Sequence, residues 1–176
     1  KMERIDLYNN ERKVVRSILF DKTHIPDGMF YYTVHIWIYN HKYGFLIQQR
    51  SERVKNLSDK WAITSGTVQH LENPRMAAQR EVKEELGLEI DTDNLKLIYQ
   101  YKKAQHFVDV FYIELDVELE MLKLKGDEVK DVKFASLLGI RRMVTDKKFY
   151  SYIYLPILEI KILQCVKSNI KKIESV

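Results

Sequence analysis

Hydrophobic positions along this 176-residue chain fall into two regimes, short β-branched and aromatic runs and longer stretches with helical spacing. Val34–Tyr39 and Phe45–Gln49 are runs of the first kind, and Asn40-His41-Lys42-Tyr43-Gly44 between them reads as a turn, which predicts a hairpin. Leu95–Tyr101, Val108–Val117 and Val129–Ala135 are further predicted strands, with Lys125-Gly126-Asp127 turning into the last. Two stretches carry the helical period. One follows Asn73-Pro74, a capping side chain and a first-turn proline, and stops at Gly87. The other runs from about Lys148 to Asn169, kinked or restarted at Pro156, with Ile157, Ile160 and Leu163, joined by Ile162, Cys165 and Val166, available to the core. Helices interleaved with mixed strands predict an α/β layered sandwich.

No stretch has the composition of a linker and no repeat is visible, so residues 1–176 read as one domain. Met2 reads as the natural start, and Lys1 carries no weight. No apolar run approaches the roughly 20 residues needed to cross a bilayer, and the N-terminal stretch lacks the apolar core of a signal peptide. A single cysteine, Cys165, excludes an internal disulfide; together these features predict a cytoplasmic protein that does not enter a membrane. The formal charge of +4 is spread out rather than gathered into a block, which argues against a nucleic-acid polymer as partner.

On the first helix Glu81, Glu84 and Glu85 share one face about 100° wide at the helical advance of roughly 100° per residue. Ala78, Val82 and Leu86 form the adjoining apolar stripe, and the small Ala77 on the carboxylate side should leave room for a ligand. Like charges at this spacing destabilise a helix by a few tenths of a kcal/mol per pair unless a cation neutralises them. A hard divalent ion, Mg²⁺ before Zn²⁺, suits an all-oxygen set with no competing Cys/His ligands. Such a tetrapeptide alone would be an ordinary solvated helix face. The wider spacing decides otherwise: Gly66, Glu72 and Arg80-Glu81-Val82-Lys83-Glu84-Glu85-Leu86-Gly87-Leu88 fill every fixed position of Gly-x5-Glu-x7-Arg-Glu-U-x-Glu-Glu-x-Gly-U, where U is aliphatic. With each fixed residue used at about 5–7%, a chance match is on the order of one in ten million.

This segment, residues 66–88, resembles the signature of the Nudix hydrolase superfamily. The resemblance implies an α/β/α sandwich with a mixed sheet and a loop-helix-loop motif, and Mg²⁺-dependent hydrolysis of a diphosphate linkage, with Mn²⁺ as a substitute ion. By position it implies Glu84 and Glu85 as metal ligands, Glu81 as a third ligand or general base, the Gly66 carbonyl as a further metal contact, and Glu72 with Arg80 as the ion pair holding the loop to the helix. Leu46–Ser51 resembles the strand preceding the signature, whose closing Arg50 would face phosphate. Glu128 resembles a strand-edge acid that some members use as an extra ligand or base. Trp61 resembles a tryptophan usual before the signature, read here as a core residue. His70 and His106 are candidate substrate contacts. Leu71 stands where the family commonly has glycine.

The segments Glu3–Tyr8 and Tyr32–Trp37 resemble the branch related to isopentenyl diphosphate isomerase, so isomerisation is a rival reading. Against it, the isomerase's cysteine and histidine beside the signature glycine are replaced by Ser65 and Thr67. A ligand-binding sensor without turnover is a third reading, opposed by the intact glutamate set. The substrate is expected to be a small organic diphosphate, a nucleoside diphosphate derivative or a relative of one. The C-terminal helix or the N-terminal segment could support a homodimer.

Overall fold

The computed structural model describes residues 2–20, 24–53 and 57–173. Two antiparallel strands, β1 (Glu3–Tyr8) and β2 (Val14–Phe20), make a separate hairpin. Seven strands form the main sheet: β3 (Tyr31–Asn40), β4 (Gly44–Arg50), β5 (Trp61–Ala62), β6 (Thr64–Thr67), β7 (Lys96–Lys103), β8 (His106–Glu114) and β9 (Val129–Ala135). The helices are α1 (Pro74–Leu86), α2 (Leu137–Thr145) and α3 (Leu158–Ile173). No helix of the described residues is long and apolar enough to cross a membrane.

The predicted hairpin is β3–β4, closed by a turn in which the Asn40 side chain accepts from the Lys42 and Tyr43 amides at 2.8 and 3.2 Å. The two strands stay paired over only three registered positions, Ile38 to Asn40. They then part: β4 runs on between β9 and β5, while β6 takes over the edge of β3 from Thr33 to Ile36. On its other edge β3 runs parallel to β8, so the sheet is mixed and forked.

Strand alternation sends the two sides of β3 into different cores. Val34, Ile36 and Ile38 join Leu46 and the α1 residues Ala78, Val82 and Leu86. Trp37 on the opposite face joins Ile47, Tyr112, Tyr152 and Tyr154, covered by Ile140 of α2 and Leu158 of α3. Helices on both faces of a mixed sheet give the α/β/α layering expected from the sequence.

The elements differ from expectation in several places. The stretch from Lys148 is not helical: Lys148 to Tyr150 lies along β5, where the Trp61 amide donates to the Lys148 carbonyl and the Tyr150 amide donates to the Trp61 carbonyl, both at 2.9 Å, and a turn follows at Ile153 and Tyr154. A short 3-10 turn at Leu155–Ile157, with Pro156 unable to donate, precedes α3. The later start resets the helical phase, so Leu158, Ile162 and Cys165 pack inward while Ile160 and Leu163 are exposed; the Val166 side chain lies outside the described residues. The β1–β2 hairpin and the nine-residue α2, capped by Ser136 onto the Gly139 amide, are additional elements.

Candidate active site

Helix α1 starts where Asn73 accepts from the amides of Arg75 and Met76, and ends where Gly87 takes φ +71° and donates to the Lys83 carbonyl. Ala78, Val82 and Leu86, four residues apart, are fully buried against the sheet. Burying the two larger ones is worth about 1.5–3 kcal/mol each. That anchoring stripe fixes where its neighbours point. Glu81 and Glu85 turn inward at 8% and 5% exposure, whereas Glu84 stays at the rim with 43% of its side chain accessible. Ala77 leaves no ligand space: it is fully buried in the helix-side core, and its small size instead lets the helix approach the sheet.

Arg80 ties the loop to the helix. Its guanidinium donates to both carboxylate oxygens of Glu72 at 2.7 and 3.0 Å, to the Thr67 carbonyl at 2.9 Å and to Glu81 at 2.7 Å. Glu72 in turn accepts from the Gln69 amide at 3.0 Å. Burial opposes the charge of Arg80, but the bond to Glu72 and the charge of Glu81 hold it firmly protonated. At Leu71 the loop takes φ +68°, so a left-handed residue is needed where the family commonly has glycine, and the leucine side chain is left 80% exposed.

The fork between β4 and β6 receives the inward carboxylates. At Gly66 on β6 an added Cβ would stand 2.0 Å from the Glu81 carboxyl carbon, so only glycine lets that carboxylate lie on the strand. Gln48 on β4 spans the fork, donating to Glu85 at 2.8 Å and accepting from the Thr64 hydroxyl at 3.0 Å; all three are buried. A polar cleft of about 190 Å³ opens here, lined by Glu3, Arg50, Ser65, Gly66, Thr67, Glu81, Glu85 and Glu128. Arg50 and Glu128 thus meet the signature residues although they are far from them in sequence. Lys125 bridges the rim, 3.0 Å from Glu128 and 3.9 Å from Glu84.

Two of these participants escape the sequence reading. Glu3 shares the inward parity of Ile5 and Leu7 on β1, a period-two signal that could have placed it, whereas Lys125 sits in a turn whose destination only the fold reveals. Of the histidines, His70 is occupied by the N-terminal hairpin, with Nδ1 2.7 Å from Asp6 and 3.2 Å from the Ser17 hydroxyl. His106 stacks on Tyr31 and lines a separate cleft. Neither belongs to the lining of the acidic cleft. Trp61 is half-buried on the helical-cover side, with the Lys133 ammonium 4.1 Å from its ring centre. Cys165 lines another cleft with Arg75 and Lys96, so no thiol lines the acidic cleft.

Burial sets the electrostatics of the cleft. Burial, aided by the charge of Glu81 and Glu128, pushes Glu85 up to about 8 against the pull of Gln48 and Arg50. Burial likewise raises Glu81 to about 7, with Arg80 opposing and Glu84 and Glu3 adding to the rise. Among the described residues no three acidic, histidine or cysteine groups already stand as a formed metal site. The donor chemistry nevertheless fits a hard divalent ion: buried carboxylate oxygens whose charged form burial disfavours and a cation would restore, with a half-exposed partner in Glu84.

The NUDIX domain family matches residues 29–155, which include the whole fork and α1. The chain belongs to the Nudix family. It is similar to an uncharacterized Nudix hydrolase of Listeria innocua, 34% identical over 88% of this chain and 92% of that protein. A second from Listeria monocytogenes is 31% identical over the same shares. Among solved structures, DR0079 from Deinococcus radiodurans superimposes with a TM-score of 0.72 at 19% identity, covering 93% of this chain and 99% of that one. A bifunctional NMN adenylyltransferase/ADP ribose pyrophosphatase from Francisella tularensis, complexed with AMP and a manganese ion, gives 0.58 at 20% identity over 81% of this Nudix chain and 43% of its own. At these identities the two structures speak for the Nudix fold alone.

Proposed function

We propose that this Nudix protein is a Mg²⁺-dependent hydrolase of the diphosphate linkage in an organic diphosphate, a nucleoside diphosphate derivative or a close relative, acting as one domain over residues 1–176. The observation that carries this reading is the convergence of Glu81, Glu85 and Glu128 with Arg50 in one polar cleft at the sheet fork. Glu84, Glu85 and Glu81, with the Gly66 carbonyl, would hold the divalent ion, and Mn²⁺ would substitute; a relative in fold carries manganese. The ion, once bound, supplies charge neutralisation at phosphorus and acidifies water.

The chain's own residues do the rest. Arg50, at the end of β4, offers a guanidinium to phosphate oxygens in the planar geometry that suits them. The Glu72–Arg80 pair fixes the loop, and Arg80 orients Glu81 within it. Either Glu81, in place of its role as a ligand, or Glu128 would take the proton of the attacking water; Glu81 is paired with Arg80 and Glu128 with Lys125. Water adds to phosphorus, the bridging P–O bond breaks, and each product leaves with phosphate. His70 and His106 are not assigned to this step. Isomerisation is disfavoured because Ser65 and Thr67 flank Gly66 in the cleft, and neither hydroxyl replaces a thiol.

Phosphate or nucleotide release from a panel of diphosphates in millimolar Mg²⁺ tests the reading beside Glu85→Gln, with isopentenyl diphosphate and its isomer assayed separately. Wild-type turnover should fall roughly a hundredfold or more in the variant. Mg²⁺ should raise the melting temperature of the wild type and not of Glu85→Gln, a readout independent of turnover. Ligand binding with no turnover of any compound would overturn the hydrolase assignment for this panel in favour of a sensor.

A further inference from the structure

One carboxylate of the acidic cleft belongs to the N-terminal hairpin. Glu3, half-buried at the start of β1, lines the cleft with Glu81 and Glu85. Strand alternation puts it on the face of β1 that carries Ile5 and Leu7, both fully buried in a small apolar cluster with Phe20 and Ile25. Arg4 and Asp6 occupy the opposite face.

The strand is clamped at both ends. At the far one, Tyr8 and Phe30 exchange backbone hydrogen bonds at 2.7 and 2.9 Å. At the near one, the His70 amide donates to the Arg4 carbonyl at 2.8 Å, one residue from Glu3. The His70 ring adds a side-chain latch. Its Nδ1 stands 2.7 Å from Asp6 Oδ1, which also accepts from the Ser17 hydroxyl at 2.5 Å, and the Leu71 amide donates to Asp6 Oδ2 at 3.4 Å. An ionised carboxylate only accepts, so the ring donates through Nδ1. Burial opposes the charge of Asp6, but the bonds from Ser17, His70 and Leu71 outweigh it and hold the carboxyl below its usual range.

The loop that grips β1 is itself gripped by Arg80, which bonds Glu72, the Thr67 carbonyl where the loop begins, and Glu81 on α1. Both carboxylates are therefore referenced to one loop, Glu81 through Arg80 and Glu3 through His70. Among the described residues Glu3 forms no ion pair. Its charge reaches Glu81, adding to the rise that burial begins. Holding like charges together is unfavourable unless a cation lies between them, and a divalent ion in the cleft would supply one.

We propose that Glu3 is a further carboxylate ligand of the divalent ion, supplied by the hairpin, and that His70 is the positioning residue that holds it within reach through Asp6. The proposal rests on the reading of the acidic cleft as the ion site and extends that site beyond the signature.

Calorimetric titration of the whole chain with Mg²⁺ and with Mn²⁺, in the absence of substrate, tests it. Glu3→Gln should weaken ion binding about tenfold or more. Glu3→Asp, which keeps the charge but shortens the reach, should lose most of the same affinity. His70→Ala should weaken binding by a smaller factor, because the backbone bond to Arg4 survives, and His70→Asn, which can still donate to Asp6, should restore it. Added to Glu3→Gln, His70→Ala should cost no further affinity, since both changes act through one carboxylate.

Unchanged affinity in Glu3→Gln, beside a loss in Glu85→Gln, would overturn the proposal and leave the acidic cleft as the ion site. The Glu3→Gln side chain is isosteric, so this outcome stands whether or not the His70 variants fold. Full affinity in Glu3→Asp would make Glu3 a distant charge and remove it from the ligands. Equal losses from His70→Ala with and without Glu3 would make His70 a structural prop and overturn its positioning role. Ion binding indifferent to Glu85→Gln, or absent from the wild type, would sink the reading of the cleft itself and this proposal with it.

Discussion

The two faces of β3 are built from different materials. On the α1 side the strand contributes Val34, Ile36 and Ile38, and the surroundings are chiefly aliphatic, with Phe107 and Phe111 among the exceptions. On the other side Trp37 meets Phe45, Tyr112, Phe149, Tyr152 and Tyr154. The aliphatic side acts as a press: it fixes the rotation of α1 so tightly that two carboxylates are held in the fork. The aromatic side keeps polar atoms inside and satisfies them pairwise, as the bonds of Tyr154 and Tyr152 show. The placement of the carboxylates thus comes from shape on one face, while hydrogen bonds between polar-tipped rings hold the other.

If the aliphatic face works as a press, loosening it should cost the most. Leu86→Ala deletes a side chain that is 1% exposed, at the helix end next to Glu85. It should destabilise the protein by about 2–5 kcal/mol in urea melts, the range for buried leucine truncations. It should also lower the stabilisation by Mg²⁺, because the freed helix end no longer holds Glu85 in register. A loss under 1 kcal/mol would mean that the hydrogen bonds of the fork, and not packing, set the helix rotation.

The polar exception on that face is Gln48, and a smaller effect is expected there. Gln48→Leu fits the volume roughly but leaves Glu85 and the Thr64 hydroxyl without the bonds they share. If Glu85 holds the metal as proposed, loss of this outer partner is expected to reduce Mg²⁺ affinity or kcat/KM by about 10–100-fold while the fold persists. Unchanged affinity and rate would show that Glu85 is positioned by α1 alone.

The same contrast explains what could be read from the sequence. The helix side was legible because its signals are local: a cap at Asn73, a glycine stop at Gly87 and a fixed spacing from Gly66 to Leu88 within one continuous segment. The hairpin β3–β4 had its apolar runs and its turn. The aromatic side was not legible, since Tyr150, Tyr152 and Tyr154 alternate in a stretch whose apolar content also suits a helix, and long-range contacts hold it instead: backbone bonds to Trp61, and the Tyr152 and Tyr154 hydroxyls with Ile63, His35 and Trp37. Misplacing that stretch also misplaced the phase of α3. Arg50 and Glu128 could be nominated from resemblance, but their meeting with Glu85 depends on β9 pairing with β4, a long-range contact with no local signature.

The aromatic face makes the gentlest prediction, through acid. His35 is held down to about 3, first by burial and then by the charges of His106 and Lys103; Tyr152 and Tyr154 face the same ring. The unfolded chain has an ordinary histidine near 6.5. Below that value the unfolded state takes up a proton that the folded state refuses, so this residue's contribution to stability is present above pH 6.5 and is lost as pH falls toward 3. Glu81 and Glu85, raised by burial, carry the opposite slope, losing stability as pH rises from about 4.5 toward 7 and 8. The wild-type profile alone therefore mixes the two faces, and the difference from His35→Phe separates them. Going from pH 7 to pH 5, the wild type should lose about 1–2 kcal/mol more than the variant in urea melts, the lower figure reflecting the ring's residual solvent contact. Parallel profiles would mean that His35 takes up its proton inside the folded protein, and that the aromatic face is wetter and more yielding than its hydrogen bonds imply.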